Sequence, residues 1–350
     1  MTQHDTPSVT ILGPGQMGLC CASILGGPDA ARPDAPRPAV RVWGHDEDEI
    51  GELSQTRTSA RLPGYRLPDG VRVALTDAEA LEGADVIVSA VPTQFTRSTW
   101  ERLRRHVPAG ACVVSVAKGI ENGTLRRPTQ VIAEALADDP DAAARPVAAL
   151  SGPSIASELA RGMPATIVAA SDDHALAERV QRLFNTSYLR VYTNEDLLGV
   201  ELAGATKNVI AIAAGILDGL RAGFNAKSAL LARGLAEIAR LGLAMGASRE
   251  TFFGVAGVGD LATTCFSPEG RNRSCGEALG RGETLDEHLA STRSVVEGVA
   301  TTKSVMDLAE RYRVEMPITE AVHAVLFEGL DPMDGIAQLM SRELRDERVG

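Results

Sequence analysis

The sequence predicts an α/β N-terminal domain built on a doubly wound parallel sheet, followed by an all-α C-terminal domain. Two observations carry this prediction. Short β-branched runs alternate with helical stretches over residues 1–194, whereas long alanine- and leucine-rich segments without strand character fill residues 195–350. Strands that are apolar almost throughout are typical of parallel sheets covered by helices on both faces. We therefore place the domain boundary near Asn194.

Eight segments of the first domain have the composition of buried strands, and the second domain contains four long helical segments. The predicted strands are residues 9–12, 40–43, 71–75, 85–91, 112–116, 147–150, 165–170 and 189–193, with a helix at 129–137 between two of them. The predicted helices of the second domain are residues 196–220, 225–245, 294–311 and 318–327.

The composition is that of a globular protein, with 44% hydrophobic and 23% charged residues. A net charge of −11 and an aromatic content of 4% argue against a nucleic-acid partner. Residues 1–8 lack the pattern of a signal peptide, and no uncharged apolar run is long enough to span a membrane. We therefore expect a cytoplasmic protein without membrane insertion.

The five cysteines and six histidines show no paired spacing typical of metal ligands. We therefore expect reduced thiols and no metal site. Residues 28–38 contain four prolines and predict a surface loop, because proline continues neither a helix nor a central strand.

Three glycines follow the first predicted strand in the sequence GPGQMG, residues 13–18. Gly13 and Gly15 are placed to permit a tight turn and close approach of a pyrophosphate. Gly18 is placed to let the following helix pack closely. A helix N-terminus at this point favours negative charge. The pattern predicts a dinucleotide-binding turn, and a glycine-rich connection that only packs is the alternative.

The end of the second predicted strand usually carries an acid that binds the ribose hydroxyls of NAD. Here the strand ends in Trp43, Gly44 and His45. Histidine can donate to a 2′-phosphate that an acid would repel, so we expect NADP to be tolerated or preferred. Asp46 follows directly and weakens the expectation for NADP, because an acid repels a 2′-phosphate. A solvated turn histidine is the alternative interpretation.

Lys207 lies in the middle of the apolar run at residues 199–217, among small residues. Lysine is almost never fully buried without a partner, and burying its charge costs free energy unless it is compensated. Its position therefore predicts a polar cavity at this point of the helix. The alternative is a lysine whose stem covers apolar surface while its ammonium reaches water.

Further polar residues follow strands or begin helices. Lys118 follows the strand at 112–116, and the small-residue turn SGPS at 151–154 follows the strand at 147–150. Both lie where open α/β sheets bind ligands, although the second is equally typical of an ordinary turn. Asp260 is placed to orient a lysine ammonium or to cap a helix. Arg271, beside Asn272 at a predicted helix start, suits a phosphate.

In order and spacing, these motifs resemble the bacterial type of NAD(P)-dependent glycerol-3-phosphate dehydrogenase family, nearly from end to end. The segments that carry the resemblance are GPGQMG (13–18), WGHD (43–46), VPTQF (91–95), AKGIE (117–121), SGPSIASE (151–158), ELAGATKNVIAIAAG (201–215), GVGDLATTC (257–265), GRNR (270–273), VVEG (295–298) and VEMPITEAV (314–322).

The resemblance implies a Rossmann-like N-terminal domain and a helical substrate-binding domain. It also implies an oxidoreductase that interconverts dihydroxyacetone phosphate and sn-glycerol 3-phosphate with NAD or NADP, in the cleft between the domains, for phospholipid biosynthesis. Lys207 matches the family's proton donor and acceptor. Substrate-binding positions are matched by Lys118, Gly152, Ser154, Lys207, Asp260, Gly270, Arg271 and Asn272. Besides the three glycines of the turn, cofactor-binding positions are matched by Gln16, Met17, His45, Lys118, Ala156, Arg271, Val295 and Glu297.

The chain departs from the family pattern at a few positions. Met17 stands where an aromatic residue is frequent, Ser59 where asparagine is frequent, and Gly270 where serine is frequent. Gly270 therefore offers only backbone contacts.

Two other functions are compatible with the same motifs: a related dehydrogenase acting on a hydroxy acid, hydroxyacyl thioester or imine, and a non-catalytic nucleotide sensor. Arg271 and Asn272 favour the phosphate-bearing substrate over the first. The presence of both Lys118 and Lys207 argues against the second. Alcohol oxidation further requires that desolvation or Lys118 lower the pKa of Lys207 from about 10.4. The apolar helical domain leads us to expect a homodimer.

Overall fold

The computed structural model describes residues 6–28, 37–137, 145–292, 294–344 and 346. Most of the predicted proline-rich loop, residues 29–36, lies outside the described residues. The chain divides into two compact units. The first comprises residues 1–117, 128–150 and 154–197, and the second comprises residues 118–127, 151–153 and 198–350.

An eight-stranded sheet forms the centre of the first unit, in the order β3-β2-β1-β4-β5-β6-β7-β8. The reversal of order at β1 and β4 is the mark of a doubly wound sheet. Strands β1 and β4 pair in parallel, as do β1 with β2, β2 with β3, β4 with β5, β5 with β6, and β7 with β8. The strands are β1 (Ser8–Leu12), β2 (Ala39–Trp43), β3 (Arg72–Val73), β4 (Val86–Ser89), β5 (Cys112–Ser115), β6 (Val147–Ser151), β7 (Ala165–Ala170) and β8 (Leu189–Asn194).

Helices cover both faces of this sheet, as the nearly continuous apolar runs predicted. Along β4, Val86 and Val88 belong to one buried cluster, while Ile87 between them belongs to the cluster on the opposite face with Trp100. The helices of this unit are α1 (Gln16–Gly26), α2 (Glu47–Thr56), α3 (Asp77–Leu81), α4 (Thr96–Leu103), α5 (Pro128–Leu136), α6 (Ala156–Ala160) and α7 (His174–Phe184).

The predicted α/β class is confirmed, and the third strand is much shorter than expected. Residues 71–75 were predicted as a strand, but only Arg72–Val73 pairs with β2. Strand β3 lies at the edge of the sheet. It has one neighbouring strand, and a proline and a glycine precede it. Few backbone groups are therefore available to extend its pairing.

The described residues after 194 contain helices and connections but no strand, which confirms the all-α second half. Their helices are α8 (Leu197–Gly219), α9 (Gly223–Met245), α10 (Arg249–Phe253), α11 (Asp260–Phe266), α12 (Arg271–Gly280), α13 (Leu285–Ser291), α14 (Glu297–Tyr312), α15 (Pro317–Phe327) and α16 (Pro332–Met340). A π-helical turn, Val255–Gly259, leads directly into α11.

Helix α8 is long and apolar enough to cross a membrane, but 94% of its most apolar window is buried in the protein. It is therefore a core helix. Helix α12 crosses it with backbone against backbone. A Cβ at Gly215 of α8 would lie 1.9 Å from the Arg273 carbonyl oxygen, and one at Gly276 of α12 would lie 1.9 Å from the Ile212 oxygen. Only glycine permits this approach.

Candidate functional site

Lys207 donates two hydrogen bonds inside the second unit. Its Nζ lies 2.6 Å from Oδ1 of Asp260 and 2.5 Å from Oγ1 of Thr264. The residue is only 6% exposed. The alternative of a lysine reaching into water is therefore wrong, and the buried charge has the partners that its position in α8 predicts.

The other oxygen of the same carboxylate binds the second predicted lysine. Nζ of Lys118 lies 2.8 Å from Oδ2 of Asp260 and 3.0 Å from the carbonyl oxygen of Gly152. Asp260 is 1% exposed and forms ion pairs with both lysines. It is the first residue of α11, and Gly259 occupies the N-cap position, so the alternative of a helix cap for Asp260 is wrong. We refer to Lys118, Lys207, Asp260 and Thr264 as the lysine site.

The helical elements explain why these groups meet. Asp260 and Thr264 lie one turn apart on α11 and so share a face of that helix. The Thr264 hydroxyl donates to the Asp260 carbonyl oxygen at 2.7 Å. A hydroxyl has one hydrogen to donate, so Thr264 accepts from the Lys207 ammonium.

The segment 118–127 is held against helices of the second unit at both of its ends. Asn208, directly after Lys207, donates its Nδ2 to the Lys118 carbonyl oxygen at 3.0 Å. At the other end, Arg127 forms a 2.7 Å ion pair with Glu201 of α8. Helix α8 thereby positions Lys118 as well as carrying Lys207.

The electrostatics of the lysine site favour proton transfer. Burial lowers the pKa of Lys207 from 10.5 to about 8; the Asp260 carboxylate opposes this shift and the Lys118 ammonium adds to it. Burial by itself would raise the pKa of Asp260, but the two ammonium groups outweigh burial and hold that pKa below its ordinary value. The site thus holds a permanent carboxylate beside a lysine that can exchange a proton near neutral pH.

Lys207 has a donor left for a substrate. Its ammonium carries three N–H groups, and within the described part of the chain two of them bind Asp260 and Thr264. The third can bind an oxygen that takes up negative charge, which is the requirement for reducing a carbonyl group.

The predicted anion-binding residues lie at the start of α12. Helix α12 begins at Arg271 after Gly270, without a side-chain cap and without an acid in its first turn. Oδ1 of Asn272 accepts a 2.9 Å hydrogen bond from the Gly298 amide, so its Nδ2 is the side of the amide that can donate to an anion. NH1 of Arg271 donates to the Val295 carbonyl oxygen at 3.2 Å. Glu297, two residues after Val295, begins α14.

The glycine turn of the first unit has the geometry that a dinucleotide requires. Gly13 has φ of +103°, and a Cβ there would lie 2.8 Å from the Ala90 carbonyl oxygen. Gly18 packs directly on the Gly13 oxygen, whereas a Cβ on Gly15, the N-cap of α1, would meet nothing within 4 Å. Open space beside an uncapped helix N-terminus with no acid in its first turn fits a pyrophosphate.

Three further residues of the first unit that are predicted to bind the cofactor lie on α1 or contact it. Gln16 and Met17 begin α1, and Nε2 of Gln16 donates to the Arg61 carbonyl oxygen at 2.9 Å. Ala156 begins α6, and its carbonyl oxygen accepts from the Cys20 thiol of α1 at 3.1 Å. Ser154 also belongs to this unit.

His45 is exposed after β2. The preceding Gly44 packs against Pro14 of the glycine turn, since a Cβ there would lie 2.9 Å from Pro14 carbon atoms. The neighbouring Asp46 is engaged as the N-cap of α2 and accepts from the Glu49 amide at 3.0 Å. Asp46 thus has a structural role as a helix cap, although it is exposed like His45.

Sequence reasoning missed two members of this arrangement. Thr264 was not singled out, although its spacing of four from Asp260 on a helix would have placed both on one face. Asn208 was not singled out either. No local pattern predicts its hydrogen bond to Lys118, because the two residues are 90 positions apart.

The fold and the site together define a nicotinamide-dependent dehydrogenase with a Rossmann-like domain and a helical second domain. Two family descriptions match the chain: "NAD-dependent glycerol-3-phosphate dehydrogenase N-terminus" over residues 8–177 and "NAD-dependent glycerol-3-phosphate dehydrogenase C-terminus" over residues 196–337. The chain belongs to the NAD-dependent glycerol-3-phosphate dehydrogenase family.

Individual relatives agree over nearly their whole length. The chain is 45% identical over 340 residues to a glycerol-3-phosphate dehydrogenase [NAD(P)+] of Chlorobium limicola, covering 97% of this chain and 99% of the relative. It is 45% identical over 347 residues to the protein of that name from Geobacillus kaustophilus, covering 97% and 96%. The crystal structure of glycerol-3-phosphate dehydrogenase from Coxiella burnetii superposes with a TM-score of 0.88 at 34% identity, covering 96% of this chain and 99% of that one.

Proposed function

We propose that this enzyme interconverts dihydroxyacetone phosphate and sn-glycerol 3-phosphate, using NADPH or NADH. The observation that carries the proposal is the buried lysine site, in which Asp260 holds two lysines and lowered proton affinity makes Lys207 a proton donor near neutral pH. Membership of the family and the names of its relatives supply the substrate.

In the reduction, Lys207 donates its proton to the oxygen of the ketone; a nicotinamide bound at the first unit would supply the hydride. With both lysines protonated, Lys118, Lys207 and Asp260 carry a net charge of +1, which stabilises the negative charge that develops on that oxygen. After the transfer the net charge of the three groups is zero, so the site does not accumulate charge. In the oxidation, the neutral amine of Lys207 accepts the proton of the alcohol.

We assign the phosphate group of the substrate to the N-terminus of α12. Arg271 can donate in a bidentate geometry, Asn272 presents its Nδ2, and Gly270 offers its backbone without a side chain in the way. Gly152 and Ser154 complete the proposed substrate contacts.

For the nucleotide we assign the pyrophosphate to Gly13, Gly15, Gln16, Met17 and Gly18, where the start of α1 is open. His45 is assigned to the adenosine ribose, where it permits a 2′-phosphate. The other proposed cofactor contacts are Lys118, Ala156, Arg271, Val295 and Glu297. In this assignment residues 1–194 bind chiefly the dinucleotide and residues 195–350 chiefly the substrate.

We infer that the enzyme acts in the cytoplasm as a homodimer and supplies glycerol phosphate for phospholipid synthesis. Exposed apolar side chains of the helical unit, among them Phe224 at 83% exposure and Met340 at 81%, are consistent with self-association. Light scattering of the purified protein tests the oligomeric state, and a monomer at micromolar concentration would contradict it.

One assay tests the proposed activity. NADPH consumption is followed with dihydroxyacetone phosphate, with hydroxypyruvate and without a carbonyl substrate. We expect turnover with dihydroxyacetone phosphate alone. Turnover with hydroxypyruvate instead would identify a dehydrogenase of another specificity, and nucleotide binding without turnover on either compound would identify a sensor.

A further inference from the structure

Arg273 lies in the first turn of α12, two residues after Arg271, and is only 9% exposed. Its side chain extends away from the helix start and back over the loop that joins α11 to α12. Nε donates to the Ser267 carbonyl oxygen at 2.8 Å, and NH2 lies 3.5 Å from the Pro268 oxygen. The guanidinium therefore holds the backbone of the loop from which Gly270 and Arg271 emerge.

The same guanidinium is anchored to α8. Its NH1 donates to Oδ2 of Asp218 at 2.5 Å, and Lys227 of α9 contacts both oxygens of that carboxylate at 2.8 and 2.7 Å. Lys227 also lies 5.1 Å from the ring centroid of Phe266, the last residue of α11. We call Asp218, Lys227 and Arg273 the loop clamp.

The position of Asp218 is unfavourable without these partners. It lies in the last turn of α8, where the helix dipole opposes a carboxylate. Two cations that are themselves more than nine-tenths buried compensate it. An ion network that is largely buried contributes little net stability compared with apolar packing, which leaves geometry as its role.

The clamp connects the two ends of the proposed substrate site. One end is Lys207 on α8, with Thr264 on α11; the other is Arg271 on α12. The clamp joins α8 to the loop between α11 and α12, and the glycine crossing of α8 with α12 fixes the separation of those helices. A ketone and a phosphate within one small molecule have a set separation, and the loop conformation decides whether both ends fit it.

We propose that Arg273 is a positioning residue, which sets the placement of the phosphate-binding start of α12 relative to the lysine site. It touches neither substrate nor cofactor in this account. The inference rests on the proposed function, because it concerns the phosphate contacts of that site.

The test uses Arg273→Lys, which keeps a positive charge for Asp218, but whose single nitrogen cannot reproduce contacts that the guanidinium makes from three separate nitrogens. Its kcat/KM is compared on dihydroxyacetone phosphate and on dihydroxyacetone, which has the same ketone and no phosphate. We expect kcat/KM for the phosphorylated substrate to fall roughly 10- to 100-fold, chiefly through KM. With dihydroxyacetone we expect it to stay within about threefold of wild type, because no phosphate contact is lost.

The matched control is Arg281→Met. Arg281 pairs with Glu277, as Arg273 does, but its side chain is 63% exposed and does not contact the loop. Its kinetics should match wild type. If Arg273→Lys fails to fold, as judged by its melting curve, Asp218→Asn breaks the same anchor from α8 and carries the same prediction.

The outcomes separate the inference from the proposed function. Equal losses on the two substrates would show general disruption, and unchanged kinetics on both would show that the loop needs no clamp; either result overturns the inference. Failure of the wild-type enzyme to reduce dihydroxyacetone phosphate would instead overturn the proposed function.

Discussion

Asp260 controls the protonation of Lys207 because each of its carboxylate oxygens contacts one lysine of the site. The carboxylate raises the pKa of Lys207, whereas burial and the Lys118 ammonium lower it, to about 8. Removing one neighbour at a time should therefore move this pKa in opposite directions.

This leads to a prediction for the pH dependence of glycerol 3-phosphate oxidation. In the proposed mechanism the oxidation needs the neutral amine of Lys207, so kcat/KM should rise with pH and level off above about 8. Asp260→Asn should move the rise to lower pH, and Lys118→Met should move it to higher pH, in addition to lowering the rates. The measurement is the pH profile of kcat/KM. Shifts in the same direction, or an unmoved profile in both variants, would contradict the assignment.

At the scale of elements, the strand pattern and the core helices could be predicted because they are encoded by the hydrophobic pattern of neighbouring residues. The residues of β4 are all buried and all but Ser89 are apolar, and α8 is apolar throughout except at a few positions such as Lys207. The π-helical turn Val255–Gly259 and the attachment of residues 118–127 to the second unit could not be predicted. The attachment of residues 118–127 depends on contacts between residues that are distant in sequence, such as Arg127 with Glu201.

Helix α15 shows another dependence of an element on a distant side chain. Its N-cap, Met316, has no side-chain cap, and Glu237 of α9 accepts from the Ile318 and Thr319 amides at 2.7 and 3.3 Å. Burial raises the pKa of Glu237 to about 7 from 4.5. The folded protein therefore holds this proton more tightly than the unfolded chain does.

The resulting prediction concerns stability. Because the folded pKa is raised, the contribution of Glu237 to the free energy of unfolding is complete below about pH 4.5 and is lost as pH rises through about 7. The loss should amount to about 3 kcal/mol. Glu237→Gln should lack this fall in denaturant melts between those pH values, while the exposed control Glu320→Gln should retain it. Identical pH dependence in all three proteins would refute the assignment.

At the scale of the whole molecule, the first unit carries a glycine turn that fits a dinucleotide, and the second carries a buried lysine that we propose as the proton donor. The residues at these sites were predictable individually from glycine spacing and from one lysine in an apolar helix. The sequence predicts that Asp260 orients a lysine or caps a helix, but its contact with Lys207 is evident only in the structure, since the two residues are 53 positions apart.

The choice of nucleotide is tested by His45→Asp. A carboxylate at this exposed position should repel the 2′-phosphate of NADPH, whereas it can accept hydrogen bonds from the ribose hydroxyls of NADH. We expect the ratio of kcat/KM for NADPH to that for NADH to fall roughly tenfold, corresponding to about 1.4 kcal/mol. Asp48→Asn, which changes another exposed charge of the same segment, is the control for general electrostatics. An unchanged ratio in His45→Asp would show that His45 does not contact the 2′-phosphate.

The central claim is that Lys207 transfers the proton, and the most direct measurement is the rate of NADPH-dependent reduction of dihydroxyacetone phosphate by Lys207→Ala. The exposed Lys303→Ala serves as the control, and fluorescence titration with NADPH verifies that the nucleotide site is intact. We predict that kcat falls by roughly 10² to 10⁴ while NADPH affinity and the melting curve stay close to those of the wild type. Near-normal turnover by Lys207→Ala would contradict the account.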